Sequence, residues 1–253
     1  MRLGKSPFVL PLLLLLAACG GGGSDYTPPS EAAQGIWRGS AVVNALTYPD
    51  ALAMISGSGK TNLVLQFGSG GNEQLRGYLN SANGMLDPYS SSLGLFNYVG
   101  DLSDTYYLSS GTVIPGSNLT ATLNNGGATS TITLNLAYDA LYDRAASLAL
   151  LSGTWSESSG GYTMTLVIDG SGTLNGSDTN GCVYTGSATL PDPAHNLYTF
   201  NLDIHTCHAS IVYAYGQGIL SDTTVGNDTL TIATTGSVGL FNTDSFIYRL
   251  TRN

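Results

Sequence analysis

From residue 154 onward the chain alternates apolar and polar residues in short runs, broken by Gly, Asp, Asn and Pro, which predicts β-strands with one buried face. In Tyr162 to Ile168, the residues Tyr162, Met164, Leu166 and Ile168 share a face, and Asp169-Gly170-Ser171-Gly172 predicts a hairpin turn into Thr173 to Ser177. Val183 to Leu190 and Leu197 to Ile204 form a second predicted hairpin around the turn-rich Pro191 to Asn196. A short start at Thr154 to Ser156, then Ile211 to Leu220, Thr229 to Thr234 and Phe246 to Leu250, bring the candidates to eight. Eight strands with short turns need roughly 90 residues, and antiparallel strands so evenly spaced close best into a small barrel, which leaves no open edge.

Trp37 and Trp155 are the two tryptophans, and both sit in a Gly-x-Trp pattern, Gly35-Ile36-Trp37 and Gly153-Thr154-Trp155. Each opens a β-like tract of nearly equal length, ending at Leu136 and Leu250, so the spacing predicts a tandem duplication. The expected division is an N-terminal barrel-like domain over 34–138, a linker over 139–151 with one turn or short helix, and a C-terminal barrel over 152–253. The first unit is less regular. Its strand-like runs are Leu63 to Phe67, Gln74 to Asn80, Leu93 to Val99, Tyr106 to Leu108, Leu119 to Leu123 and Ile132 to Leu136. Asn44 to Ile55, with Tyr48-Pro49-Asp50, reads as an inserted loop or helix, and inserts at a barrel mouth often carry function.

Composition agrees with an all-β fold. Only 10% of residues are charged and 33 are glycine, so the best surface-helix formers are scarce and a helical bundle is excluded. A net charge of −9 excludes a nucleic-acid partner, which requires a basic stripe.

The first residues read as an export signal over 1–18: a basic start at Arg2 and Lys5, an apolar core through Leu16 too short to span a bilayer, then Leu16-Ala17-Ala18-Cys19. That tetrapeptide resembles the lipobox of bacterial lipoproteins, which implies cleavage before Cys19 and lipidation of Cys19 with palmitate-type chains. Gly20 follows where an Asp would resemble an inner-membrane retention signal, so the resemblance implies the outer membrane. Residues 19–33 then form a Gly- and Pro-rich tether. After cleavage six basic residues face 17 acidic ones, a net of −11, which keeps the body off anionic lipid.

Gly-x-Trp on the first strand of an eight-stranded barrel resembles lipocalins and avidins, in which the tryptophan seals one end. The two-unit layout, the linker Tyr142 to Leu148 leading into Gly-x-Trp, and Gly176-Ser177-Asp178 with Gly181-Cys182 resemble uncharacterised proteobacterial lipoproteins with two such units. No activity comes with that likeness.

With Cys19 lipidated, Cys182 and Cys207 remain, and an exported protein is expected to join them as a disulfide across the 183–204 hairpin. Parity does not fit at once: Cys182 shares the face of Tyr184, whereas Cys207 is offset from Tyr198, Phe200, Leu202 and Ile204. A bulge near one cysteine, or a bridge at the strand ends, reconciles them.

Other motifs resolve into turns. Ser56-Gly57-Ser58-Gly59-Lys60-Thr61 lacks the earlier glycine of a phosphate loop, its place being taken by Met54, and reads as a hairpin turn. His205, Cys207 and His208 beside Cys182 make a poor zinc set once the sulfurs are oxidised. Asp169 to Asn180 lacks the glycine and glutamate of a calcium loop, so no metal is expected. No Gly-x-Ser-x-Gly or other nucleophile set stands out, so no catalytic residue and no cofactor are expected.

Fifteen tyrosines exceed six Phe and two Trp, and tyrosine is favoured on binding surfaces. Tyr106-Tyr107 and Tyr213-Ala214-Tyr215 are the candidate binding surface. The expected function is an outer-membrane-anchored, non-enzymatic binding module for a protein or envelope polymer. The alternatives are a lipocalin-like carrier of a small apolar ligand and an inhibitor of an envelope hydrolase.

Overall fold

The computed structural model describes residues 31–67, 71–96, 102–127, 130–206, 211–238 and 242–253. It is built of two closed, eight-stranded antiparallel barrels in tandem. After a 3-10 turn, Glu31–Ala33, the first comprises β1 (Gly35–Val43), β2 (Leu46–Ile55), β3 (Lys60–Phe67), β4 (Gly71–Tyr78), the small hairpin β5 (Ser81–Ala82) and β6 (Met85–Leu86), β7 (Ser92–Phe96), β8 (Leu102–Ile114), β9 (Asn118–Asn124) and β10 (Thr131–Asp139). The wall runs β8-β7-β4-β3-β2-β1-β10-β9 and closes by pairing β9 with β8, while β5 and β6 hang on β8 outside the ring.

A 3-10 turn, Ala140–Asp143, and the one-turn helix α1 (Leu148–Leu151) lead into the second barrel. Its strands are β11 (Gly153–Ser159), β12 (Tyr162–Ile168), β13 (Thr173–Asp178), β14 (Val183–Thr189), β15 (Tyr198–His205), β16 (Val212–Ser221), β17 (Thr229–Val238) and β18 (Asn242–Arg252). They follow one another around the ring, and β18 closes it on β11 through Trp155↔Arg252 and Ser156↔Thr251. Alternation puts Met164, Leu166, Ile168, Leu174, Phe200, Leu202, Ile232 and Leu250 inside.

One expectation is overturned. Residues 46–55, read above as an inserted loop or helix, are β2, paired with β1 and β3. The pairing with β1 steps from Gly39↔Ala51 to Ala41↔Tyr48. This irregularity accommodates Pro49, which has no N–H to give to the ladder. Beyond Pro49, Ala51-Leu52-Ala53-Met54-Ile55 is buried on both faces and so shows no alternation.

That second buried face explains how the barrels pack. Outward-pointing Ile36, Leu52, Met54 and Val64 of the first barrel meet Leu197, Ile219 and Ala233 of the second, with Tyr142 of the linker between them. Within this apolar patch runs a relay of buried amides. Gln74 Nε2 donates to Asn62 Oδ1 at 3.0 Å, and Asn62 Nδ2 donates to Gln217 Oε1 at 2.6 Å. Beside it, Arg76 lies over the Tyr215 ring at 3.8 Å and hydrogen bonds Thr235.

The linker is stitched to the second barrel. Arg144 pairs with Asp222, and the buried Asn196 gives Nδ2 to Leu220 O at 2.7 Å while Oδ1 accepts from Leu220 N at 3.1 Å. Asn196 N also donates to Tyr142 O at 3.0 Å.

Candidate functional site

Each barrel has one sealed end, built alike. Trp37 Nε1 donates to Ala33 O at 3.0 Å and Trp155 Nε1 to Leu151 O at 2.9 Å, in both cases the last residue of a short helical turn four positions earlier. Both indoles are fully buried. The residue paired with the tryptophan on the adjoining last strand of each barrel differs: Tyr138 meets Trp37 edge-on at 5.2 Å, whereas the Arg252 guanidinium covers Trp155 at 4.2 Å. Arg252 also donates from Nη1 to Ser152 O at 2.6 Å and from Nε to Asn227 O at 3.2 Å. The glycines of Gly-x-Trp make room for these lids. Gly35 has φ +154° and Gly153 φ +145°; a Cβ on the first would lie 2.9 Å from Trp37 Nε1 and on the second 2.6 Å from Arg252 Nη1.

Among the described residues the other end of the C-terminal barrel is open. Its mouth is a cavity of about 360 Å³ walled by Tyr162, Tyr184, Phe246 and Tyr248, with Asp178 and Ile204 among the remaining lining residues. Asp178, at the end of β13, organises it. Its Oδ1 accepts from Asn180 N at 2.9 Å and Cys182 N at 3.0 Å, which shapes the turn into β14. Its Oδ2 accepts from the hydroxyls of Tyr184 at 2.8 Å and Tyr162 at 3.2 Å. Tyr248 packs edge-on against Tyr184 at 6.0 Å and stacks with Phe246 at 6.3 Å. Tyr248 is only 7% exposed, yet its hydroxyl has no hydrogen-bond partner among the described residues. Burial pushes the Tyr184 and Tyr248 hydroxyls well above the usual phenol range. Burial also raises Glu157, with Arg249 beside it pulling the other way.

A second cavity, also about 360 Å³, lies where the barrels meet, between the turn at Ser56 to Ser58 and the 191–195 turn, with Lys60, Tyr142 and Gln217 in its wall. His195 stacks on Tyr142 at 4.2 Å there.

The candidate surface tyrosines are scattered. Tyr106 is 1% exposed and points into the first barrel, its hydroxyl 2.6 Å from Ser130 Oγ, so it is a core residue and not part of a binding surface. Its neighbour Tyr107 points outward and is 54% exposed. Tyr213 is 59% exposed, while Tyr215 lies against Arg76 at the seam.

Cys182 is buried just beyond the Val183↔His205 pair; Cys19 and Cys207 lie outside the described residues. His205 Nε2 sits 3.2 Å from Thr185 Oγ1. Among the described residues no three His, Cys, Asp or Glu side chains gather in a metal-binding group. Asp169 spends Oδ1 on Ser171 N at 2.8 Å and Thr173 N at 2.9 Å, the bonds of a hairpin turn. Ser56 N donates to Lys60 O at 3.0 Å in the turn that had mimicked a phosphate loop.

Sequence reasoning missed the mouth. The signal was present, since Tyr162, Tyr184 and Tyr248 all sit on the inward parity of their strands near the same ends. Inward tyrosines read from sequence as ordinary core.

No known family matches the chain and no curated protein matches it. Among solved structures it is similar to the crystal structure of a protein of unknown function from the DUF3598 family of Nostoc punctiforme, at 14% identity over 88% of this chain and 97% of that one, with a TM-score of 0.28.

Proposed function

We propose that the protein is a lipid-anchored binding protein of the bacterial outer membrane, without catalytic activity, that holds a small ligand in the mouth of its C-terminal barrel. The observation that carries the reading is the cavity at that mouth with Tyr248 buried beneath it and its hydroxyl unspent. A buried hydroxyl without a partner costs about 1–3 kcal/mol, and a ligand that supplies the partner recovers it. Pockets that are mostly apolar with a few convergent polar groups are the usual form of a small-molecule site. The anchor rests on Leu16-Ala17-Ala18-Cys19 and the tether that follows.

A disulfide between Cys182 and Cys207 belongs to the same proposal, and would brace the rim of the mouth. Thr206, directly before Cys207, has φ +68°, a left-handed residue that breaks strand alternation at the point where parity had been offset. Cys182 itself is 8% exposed, on the inner face with Tyr184.

The test is native mass spectrometry of the full chain drawn from its own envelope. A small molecule that copurifies with the wild type, and is lost when Tyr184→Ala and Tyr248→Ala open the mouth, supports the reading. Turnover of an envelope polymer by the purified chain, or a bound molecule indifferent to those changes, refutes it. Cys19→Ala is expected to abolish membrane attachment.

A further inference from the structure

The chemistry around Tyr248 narrows the ligand. We infer that the mouth of the C-terminal barrel binds a small alkylammonium ion that carries at least one N–H, with its charged head at Tyr248 and its apolar body among the ring faces. This rests on the mouth being the binding site and specifies what it takes.

Three features converge on a cation. The walls are aromatic on several sides, and the faces of phenol and phenyl rings carry negative potential that attracts ammonium ions. Asp178 lines the cavity, while no Lys or Arg lines it among the described residues. Asp178 has each oxygen engaged by two donors, so its charge reaches a ligand through space and not by direct contact. The hydroxyl of Tyr248 is then the open group. Tyr162 and Tyr184 both spend their protons on Asp178, whereas the Tyr248 hydroxyl has no hydrogen-bond partner among the described residues, and an ammonium N–H supplies one. Thr234 Oγ1, on the strand next to Tyr248 and paired with Phe246, is also buried with no partner among the described residues.

Other head groups fit less well. An anion is repelled by the Asp178 carboxylate that lines the cavity. An alcohol satisfies Tyr248 but gains nothing from that carboxylate. A quaternary ammonium gains the ring faces but offers Tyr248 no N–H. At about 30 Å³ for each water-sized group, 360 Å³ holds about twelve such groups, enough for a short alkylamine.

The experiment is titration calorimetry of the full chain, at about 0.15 M salt to screen diffuse attraction to the acidic surface. The probes are n-hexylammonium, hexyltrimethylammonium, n-hexanol and n-hexanoate, which share one tail. The expected result is a Kd for n-hexylammonium at least tenfold below each of the others, with Tyr248→Phe removing its advantage over hexyltrimethylammonium. Equal binding of n-hexanol, or preference for n-hexanoate, overturns the cation inference while leaving the mouth as a binding site. No heat from any of the four, together with no copurifying ligand, overturns both. The wild-type series decides the question even if the variant fails to fold.

Discussion

Asn62 is the middle member of the amide relay between the barrels, and Asn62→Ala breaks both of its bonds at once. The change leaves Gln217 Oε1 without its 2.6 Å donor and Gln74 Nε2 without its 3.0 Å acceptor. Both partners are fully buried among Ile219, Val64 and their neighbours, so water does not replace what is lost. Each orphaned buried group costs about 1–3 kcal/mol, which gives a destabilisation of about 3 kcal/mol. The assay is urea unfolding followed by fluorescence. Each barrel contains one buried tryptophan, so Trp37→Phe and Trp155→Phe backgrounds report the two barrels separately. With a urea dependence of about 2–3 kcal/mol per molar, the midpoint is expected to fall by about 1 M. The triple variant Asn62→Leu, Gln74→Met, Gln217→Met removes every member of the relay and keeps the volume, so it is expected to recover most of the loss. A midpoint unchanged by Asn62→Ala, or a triple variant weaker than the single one, refutes the relay as the cause.

Three further outcomes follow from the same geometry. Tyr248→Phe removes a buried hydroxyl that lacks a partner, so the ligand-free protein is expected to gain about 1 kcal/mol, or roughly 2–4 °C in melting temperature, while ligand binding weakens; a loss of stability would show that the hydroxyl is already satisfied. Gly153→Ala places a methyl 2.6 Å from Arg252 Nη1 at φ +145° and is expected to cost about 2 kcal/mol in chemical denaturation, with no cost counting against the lid geometry. Asp228 accepts from Thr223 N, Thr224 N and Val225 N at 2.7–2.9 Å, which holds its carboxyl far below the usual range. Because the folded form binds its proton less readily than the unfolded form, the stabilisation is complete above the unfolded value near 3.8 and is lost as pH falls below it. Asp228→Asn is therefore expected to flatten the acid side of a melting temperature profile between pH 2 and 6, and an unchanged slope refutes the assignment.

The C-terminal barrel was legible because most of its strands have one wet face. Met164, Leu166 and Ile168 alternate with polar residues, and the turns carry Asp and Gly at their corners. β2 was not legible, because its far half is buried against the second barrel as well as inside the first. A strand dry on both sides loses the period of two and reads as a helix or loop, and Pro49 reinforced that reading. The seam was hidden for the same reason. Asn62, Gln74 and Gln217 stand on the outward parity of their strands, where amides look like ordinary solvent-facing residues. Tyr106 erred in the opposite direction: adjacent tyrosines on one strand must point to opposite faces, so only Tyr107 of that pair was ever available to a partner.

The two tryptophan-sealed ends give the molecule a floor and a rim. Residue 34, the β2–β3 turn at Ser56 to Ser58 and the 191–195 turn gather around one cavity, on the floor side of both barrels, and the linker joins the end of β10 to the start of β11 on that same side. Under the proposed anchor, the tether from Cys19 would reach the fold on its floor side, beside Trp37. The barrels' side-by-side packing fixes both rims in one direction, so the seam between them sets the aim of the mouth.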